Sequence, residues 1–141
     1  MTDPQFGRLI TAMITPFDNE RNLDLKRCAE FADRLVKGGT DALAVCATTG
    51  ESPTIFYPQK IKVIKTVIEA VDGRAKIIAN VGDNCTQDTI DFARDVEKLG
   101  VDGLMCVVPY YNKPPQEGLY QHFKAIAESV NLPVILYNIP G

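Results

Sequence analysis

Four short polar clusters carry the side chains in this sequence best suited to moving protons or holding a small acid: Thr48-Thr49, Asn80 to Asn84, Tyr110-Tyr111-Asn112 and Tyr137-Asn138. Each begins where an apolar run stops. Threonine and tyrosine hydroxyls both donate and accept hydrogen bonds, so a file of them can pass a proton while neighbouring backbone amides hold a carboxylate. That outfit suits a small oxo-acid. The competing reading is packing, with the tyrosines plugging the mouth of a barrel. Four such clusters on one edge make pure packing the weaker account.

Other chemistries find little support. Cys28, Cys46, Cys85 and Cys106 stand far apart without a C-x-x-C pair, and His122 is the lone histidine, so no metal site is predicted. Cys46 and Cys106 lie in apolar runs where a thiol acts as a small hydrophobe, and all four cysteines are read as structural and reduced. His122 is read as a surface or packing residue. Neither G-x-G-x-x-G nor G-x-x-x-x-G-K-[ST] occurs, so no nucleotide motif is present. Glu51, the one carboxylate at an apolar strand end, is given a structural role, orienting the threonine loop or capping the next element. A net charge of -3 and a pI near 5.1 leave no basic excess, which argues against nucleic acid and anionic membranes as partners. The start of the chain lacks a basic region followed by an apolar stretch, and no run approaches transmembrane length, making the cytoplasm the default location.

The clusters need a scaffold that gathers strand ends on one face, and the apolar patterning predicts one. A first strand is expected from Leu9 to Thr15, stopped by Pro16, followed by a turn at Asp18 to Asn22. Asp24 is expected to cap a helix with Leu25, Cys28, Ala29, Ala32, Leu35 and Val36 on its buried face, ended by Gly38-Gly39. Ala42 to Ala47 is apolar without alternation, as in a parallel strand covered on both faces. Pro58 suits the first turn of a second helix whose stripe is Ile61, Ile64, Val67, Ile68 and Val71, closed by Asp72-Gly73. Ile77, Ile78 and Ala79 form a third strand. Thr86 is expected to cap a third helix, with Ile90, Ala93, Val96 and Leu99 inward. Gly103 to Val108 is a fourth strand that leaves through a stiff aromatic loop ending at Pro114-Pro115. A fourth helix starts at Gln116 with Leu119, Phe123, Ile126, Ala127 and Val130 facing inward, and Pro133 to Tyr137 is a fifth strand.

Five strands alternating with four helices argue an α/β fold with a parallel sheet and right-handed crossovers. An internal echo supports equivalent βα units: Lys37-Gly38-Gly39-Thr40-Asp41-Ala42-Leu43 matches Lys98-Leu99-Gly100-Val101-Asp102-Gly103-Leu104. Periodicity alone leaves two arrangements, an open flavodoxin-like sheet and successive staves of a (βα)8 barrel. A complete barrel is typically about 250 residues, so 141 residues supply about half of one.

The sequence resembles the dihydrodipicolinate synthase and N-acetylneuraminate lyase family across essentially its whole length. The resemblance is carried by Thr48-Thr49-Gly50-Glu51-Ser52, by Pro109-Tyr110-Tyr111-Asn112-Lys113-Pro114, by Gln116-Glu117-Gly118-Leu119-Tyr120-Gln121-His122-Phe123, and by Leu136-Tyr137-Asn138-Ile139-Pro140. Paired threonines and the tyrosine doublet look like the synthase branch. What the resemblance implies is a partial (βα)8 barrel, residues 1–141 being the N-terminal portion of a single barrel domain. It also implies a pyruvate-dependent class I aldolase. Pyruvate would form a Schiff base with a lysine and condense with aspartate semialdehyde to 4-hydroxy-tetrahydrodipicolinate on the lysine pathway, with no metal or organic cofactor. Thr48, Tyr111 and Tyr137 match the family's proton relay, with Tyr111 reaching in from a neighbouring subunit of a homo-oligomer. Thr49 matches the residue binding the pyruvate carboxylate. Ser52, Asn84 and Tyr110 match positions lining a regulatory lysine site, although Tyr57 stands where a histidine is common.

Ala47 and Asn80 occupy places the family usually gives to glycine. The family's Schiff-base lysine belongs to strand six, beyond Gly141, so the 141 residues are expected to be a truncated and inactive piece of such an enzyme. Two alternatives are a non-catalytic half-barrel that binds oxo-acids or self-associates, and another pyruvate aldolase of the family. With the first and fifth strands as sheet edges, a dimer or larger assembly is expected in preference to a compact monomer.

Overall fold

The structure, a computed structural model, describes residues 4–139. Among the described residues five strands alternate with four helices, and the strands follow one another in the sheet in sequence order. The residues cluster into two compact units, Met1–Ile78 and Ala79–Gly141, taken in turn.

In the first unit, strand β1 (Ile10–Ala12) pairs in parallel with β2 (Ala42–Val45), Ile10 opposite Ala42 and Ala12 opposite Ala44. β1 is shorter than the expected Leu9 to Thr15. At its start the Asp41 carboxylate accepts the Arg8 and Leu9 N–H groups at 2.7 and 2.9 Å, drawing the chain away from ladder geometry. At its end the Met13 N–H still donates to Ala44 O, after which Pro16, lacking a donor, releases the chain into a small bridge between Phe17 and Leu23. Asp24 caps helix α1 (Leu25–Lys37) as expected, its side chain accepting the Arg27 N–H at 2.9 Å. Cys28 and Ala32 are the fully buried members of the expected face.

Helix α2 (Tyr57–Val71) carries Pro58 in its first turn and ends on Asp72 and Gly73, both left-handed. Its buried stripe is Val63, Ile64, Val67 and Val71. The expected Ile61 and Ile68 are half-buried, because the face turned inward is centred between Val63 and Val67. Strand β3 (Lys76–Asn80) begins in this unit, with the Lys76 N–H donating to Asp41 O at 2.9 Å.

The second unit holds the end of β3, helix α3 (Thr86–Glu97), strand β4 (Gly103–Val107), helix α4 (Gln116–Ala127) and strand β5 (Val134–Tyr137). β4 and β5 pair in parallel, Met105 opposite Ile135 and Val107 opposite Tyr137. Thr86 is not the cap of α3. Cys85 holds that position without a side-chain bond, and Thr86 is the first helical residue, its hydroxyl 2.8 Å from His122 Nδ1 on α4. The inward face of α3 is Thr89, Phe92, Ala93 and Val96. On α4 the buried residues are His122 and Ile126; Leu119 and Phe123 are half-buried and Ala127 is exposed, while Val130, expected on its inward face, lies beyond the end of the helix. The bond to Thr86 explains the difference, since it turns the His122/Ile126 edge of α4 inward.

Candidate active site

The first unit supplies the threonine loop. Ala42 to Ala47 are all buried, the non-alternating pattern of a strand with no solvent face. Cys46 then takes a left-handed backbone, with φ 54°, and the chain folds into a compact turn. In it Gly50 and Ser52 N–H both donate to Ala47 O, and Glu51 N–H donates to Thr48 O. Thr48 and Thr49 are thereby presented at the exposed tip. Ala47 sits in this turn without a positive φ, so the methyl group is accommodated where the family usually has glycine. Glu51, with φ 57°, caps a short 3-10 turn (Ser52–Thr54) through its backbone, its carbonyl accepting Thr54 N–H and Oγ1–H. Its carboxylate makes no capping bond. Ser52 is 4% exposed, and its hydroxyl has no hydrogen-bond partner.

The other three clusters lie in the second unit. Asn80 ends β3 with 3% exposure and an unpartnered side-chain oxygen, while Val81 N–H donates to Met105 O at 2.9 Å. Gly82 follows, pressed against β4 so closely that a Cβ there would strike the Val107 amide nitrogen. Asp83 organises what comes next. Its Oδ1 accepts the Asn84 N–H at 2.6 Å, its own N–H donates to Thr89 Oγ1 at 3.2 Å, and its carboxylate takes the Tyr110 hydroxyl. Burial and then the Asp83 charge push Tyr110 above its ordinary value, because both disfavour the phenolate. Asn112 closes the group by donating from Nδ2 to Asn84 O at 3.2 Å. Asn84 and Tyr110 are thus brought together through Asp83 and Asn112. Both of those partners fall within the polar clusters read from the sequence, Asn80 to Asn84 and Tyr110-Tyr111-Asn112, but neither is assigned a role there. Tyr111 points away, 93% exposed with φ 70°. Tyr137 closes β5 half-buried, its carbonyl accepting Val108 N–H at 3.0 Å. Pro140 of the Leu136 to Pro140 segment lies outside the described residues.

Cys28, Cys46 and Cys106 are buried, and desolvation pushes their thiols up to about 11, 12 and 12, well away from nucleophilic range. Among the described residues no group of three or more His, Cys, Asp or Glu is arranged to hold a metal ion. No helix among them is long and apolar enough to cross a membrane.

The polar loops therefore leave the C-terminal ends of parallel strands, and residues 5–141 match the sequence profile of the dihydrodipicolinate synthetase family. The chain belongs to that family. A 4-hydroxy-tetrahydrodipicolinate synthase of Moorella thermoacetica is 55% identical over 137 residues, 97% of this chain and 47% of the relative. Among solved structures, dihydrodipicolinate synthase from Bacillus anthracis superposes with a TM-score of 0.94 at 49% identity, covering 96% of this chain and 47% of that one. The enzyme from Cyanidioschyzon merolae, solved with lysine bound, gives 0.95 at 44% identity over 97% of this chain and 47% of its own. The chain spans about half the length of the curated relatives it matches. Five parallel strands and four helices of this family's (βα)8 barrel are the fold class, which decides between the two arrangements left open by periodicity.

Proposed function

We propose that this chain supplies the β1 to β5 part of a single-domain 4-hydroxy-tetrahydrodipicolinate synthase, condensing pyruvate with aspartate semialdehyde through a lysine Schiff base. The observation that carries this is the threonine loop: a buried strand ends in a turn whose internal bonds leave Thr48 and Thr49 at the exposed tip. In this reading Thr48, Tyr111 and Tyr137 relay the proton between reacting atoms and solvent, and Thr49 holds the pyruvate carboxylate. Tyr111 serves the site of a neighbouring copy, so the enzyme is a homo-oligomer. The exposure and left-handed backbone of Tyr111 support that role. Ser52, Asn84 and Tyr110 line a lysine-responsive site, modified here because Asp83 engages the Tyr110 hydroxyl. In this reading the reaction needs no metal or organic cofactor and runs in the cytoplasm.

The Schiff-base lysine is not among these residues at a strand's C-terminal end. Lys76 opens β3 at the opposite end, and Lys113 lies in a proline-bounded loop. Residues 1–141 by themselves should therefore yield no pyruvyl-lysine adduct on borohydride reduction, read by mass spectrometry. The gene-encoded enzyme carrying them should form one, and Thr48→Val in it should lower turnover by about 100-fold. An adduct on residues 1–141, or an unchanged turnover in Thr48→Val, would refute the assignment.

A further inference from the structure

We infer that Thr15 is a positioning residue for the Thr48-Thr49-Gly50 turn, an inference that rests on the catalytic reading of that turn. Thr15 lies beyond the end of β1 and is 6% exposed. The following Pro16 restricts it to extended backbone, which fixes the direction of its side chain. Its hydroxyl donates to Gly50 O at 2.7 Å in a buried bond that spans 35 residues. The bonds between Ala47 and Ser52 stay within the turn, whereas this one ties the turn to a separate segment. The fit is tight from the other side as well. A Cβ at residue 50 would meet Met13 O and Thr15 Oγ1, both at 3.0 Å. Glycine at 50 and a small hydroxyl at 15 are therefore matched parts of one contact.

The consequence reaches Thr48 and Thr49 through the backbone. Holding the carbonyl of Gly50 fixes the Gly50–Glu51 peptide plane, and together with the Gly50 N–H bond to Ala47 O, which holds the preceding plane, it anchors the side of the turn from which Thr48 and Thr49 project. Replacing the hydroxyl with a methyl group of the same size leaves that carbonyl buried without its donor, which favours turns in which the peptide has rotated toward water. Misplacement of a reacting group by about 1 Å lowers turnover by about 100-fold, so a bond at this distance from the chemistry has leverage on it.

The test compares Thr15→Val with Thr15→Ser, which keeps the donor. In the 141-residue chain, amide hydrogen exchange followed by NMR should speed up about tenfold at Glu51 and Ser52 in Thr15→Val. The amides of β2 and α2 should keep their wild-type rates, and Thr15→Ser should match wild type throughout. In the gene-encoded enzyme, Thr15→Val should lower kcat by 10- to 100-fold with little change in KM for pyruvate, and Thr15→Ser should restore most of it. Wild-type exchange at Glu51 and Ser52 in Thr15→Val would overturn the inference. So would acceleration spread evenly through the unit, outright unfolding, or equal damage by serine. Local acceleration with unchanged turnover would overturn the functional half of the inference. If Thr48→Val also left turnover unchanged, the failure would belong to the catalytic reading of the turn, and the Thr15 bond would remain a fixture of its geometry.

Discussion

Gly82→Ala probes how the polar segment after β3 is seated. Gly82 is not in the left-handed region, so what alanine lacks there is space rather than conformational freedom. Its Cβ would strike the Val107 amide nitrogen and lie 2.9 Å from Val107 Cγ1 and 3.1 Å from the Cys106 carbonyl carbon. Two of those three atoms are backbone of β4, which is held on its other side by the Met105–Ile135 and Val107–Tyr137 pairs, so no rotamer change relieves the clash. Relief requires lifting the chain off β4, which stretches the Val81 N–H bond to Met105 O. Overpacking of this kind costs about 1–3 kcal/mol, and with a loosened ladder bond of about 1 kcal/mol the total is about 3 kcal/mol. At about 3 °C per kcal/mol for a chain of this size, the melting temperature should fall by about 10 °C. Gly100→Ala is the control, since nothing lies within 4 Å of its Cβ and only the φ of 85° is strained, for a cost of about 1–2 kcal/mol. Thermal unfolding followed by far-ultraviolet circular dichroism distinguishes the two. A Gly82→Ala variant melting within 3 °C of wild type, or above Gly100→Ala, would show that the segment is not seated on β4 as described.

Two further outcomes concern ionisation. Burial holds His122 below its ordinary value of 6.5, and it is 5% exposed with Nε2 unpartnered. Above pH 6.5 the histidine is neutral in both folded and unfolded chains. Below it the unfolded chain binds the proton first, so stability should fall with pH by at most about 1.4 kcal/mol per unit until the folded-state value is reached. Urea midpoints between pH 7.5 and 5 should show this slope and His122→Gln should lack it; equal slopes in the two proteins would refute it. Asp83→Asn should lower the Tyr110 ionisation toward 10 without reaching it, because burial, the larger cause, remains. A titration of the tyrosine ring signals by NMR that left Tyr110 unmoved would show that Asp83 does not engage it.

The parts of this fold governed by local pattern could be read directly. The unalternating run at Ala42 to Ala47 predicted a strand buried on both faces, and Asp24 predicted a helix start. Each depends on residues within one element, so sequence neighbours are the relevant neighbours. Readings that failed depended on partners far along the chain. Thr86 looks like a cap, yet its hydroxyl is engaged by His122, 36 residues away. β1 is shorter than its apolar run because the Asp41 carboxylate that gathers its start lies more than 30 residues on. The helix faces of α2 and α3 were each misplaced slightly, since stripes spaced by three and four fit several neighbouring faces and the packing surface chooses among them. In the candidate site the hydroxyl-bearing residues were legible by type. The bonds that fix them, Thr15 to Gly50 and Tyr110 to Asp83, were not, because a hydrogen bond across distant segments leaves no local periodicity.

The tyrosine doublet shows how much such fixtures decide. Tyr110 and Tyr111 are adjacent and chemically identical, yet one is half-buried with its hydroxyl on Asp83 and the other is almost fully exposed. A bulky side chain in the left-handed region is disfavoured by about 1–2 kcal/mol, and exposing an aromatic ring forgoes the gain from burying it. Tyr111 bears both costs, and Lys113 two residues later is also left-handed. Such a conformation persists only where the surroundings over-determine it. Here Asn112 N–H donates to Tyr110 O at 2.9 Å, Asn112 Nδ2 donates to Asn84 O, and prolines bound the loop at 109 and 114. The same contacts that anchor Tyr110 thus force Tyr111 outward. A tyrosine engaged by a half-buried carboxylate is a poor proton shuttle, whereas one held in solvent keeps its hydroxyl available to a second molecule. That division agrees with the proposed roles, Tyr110 as a wall of the site and Tyr111 as the relay member.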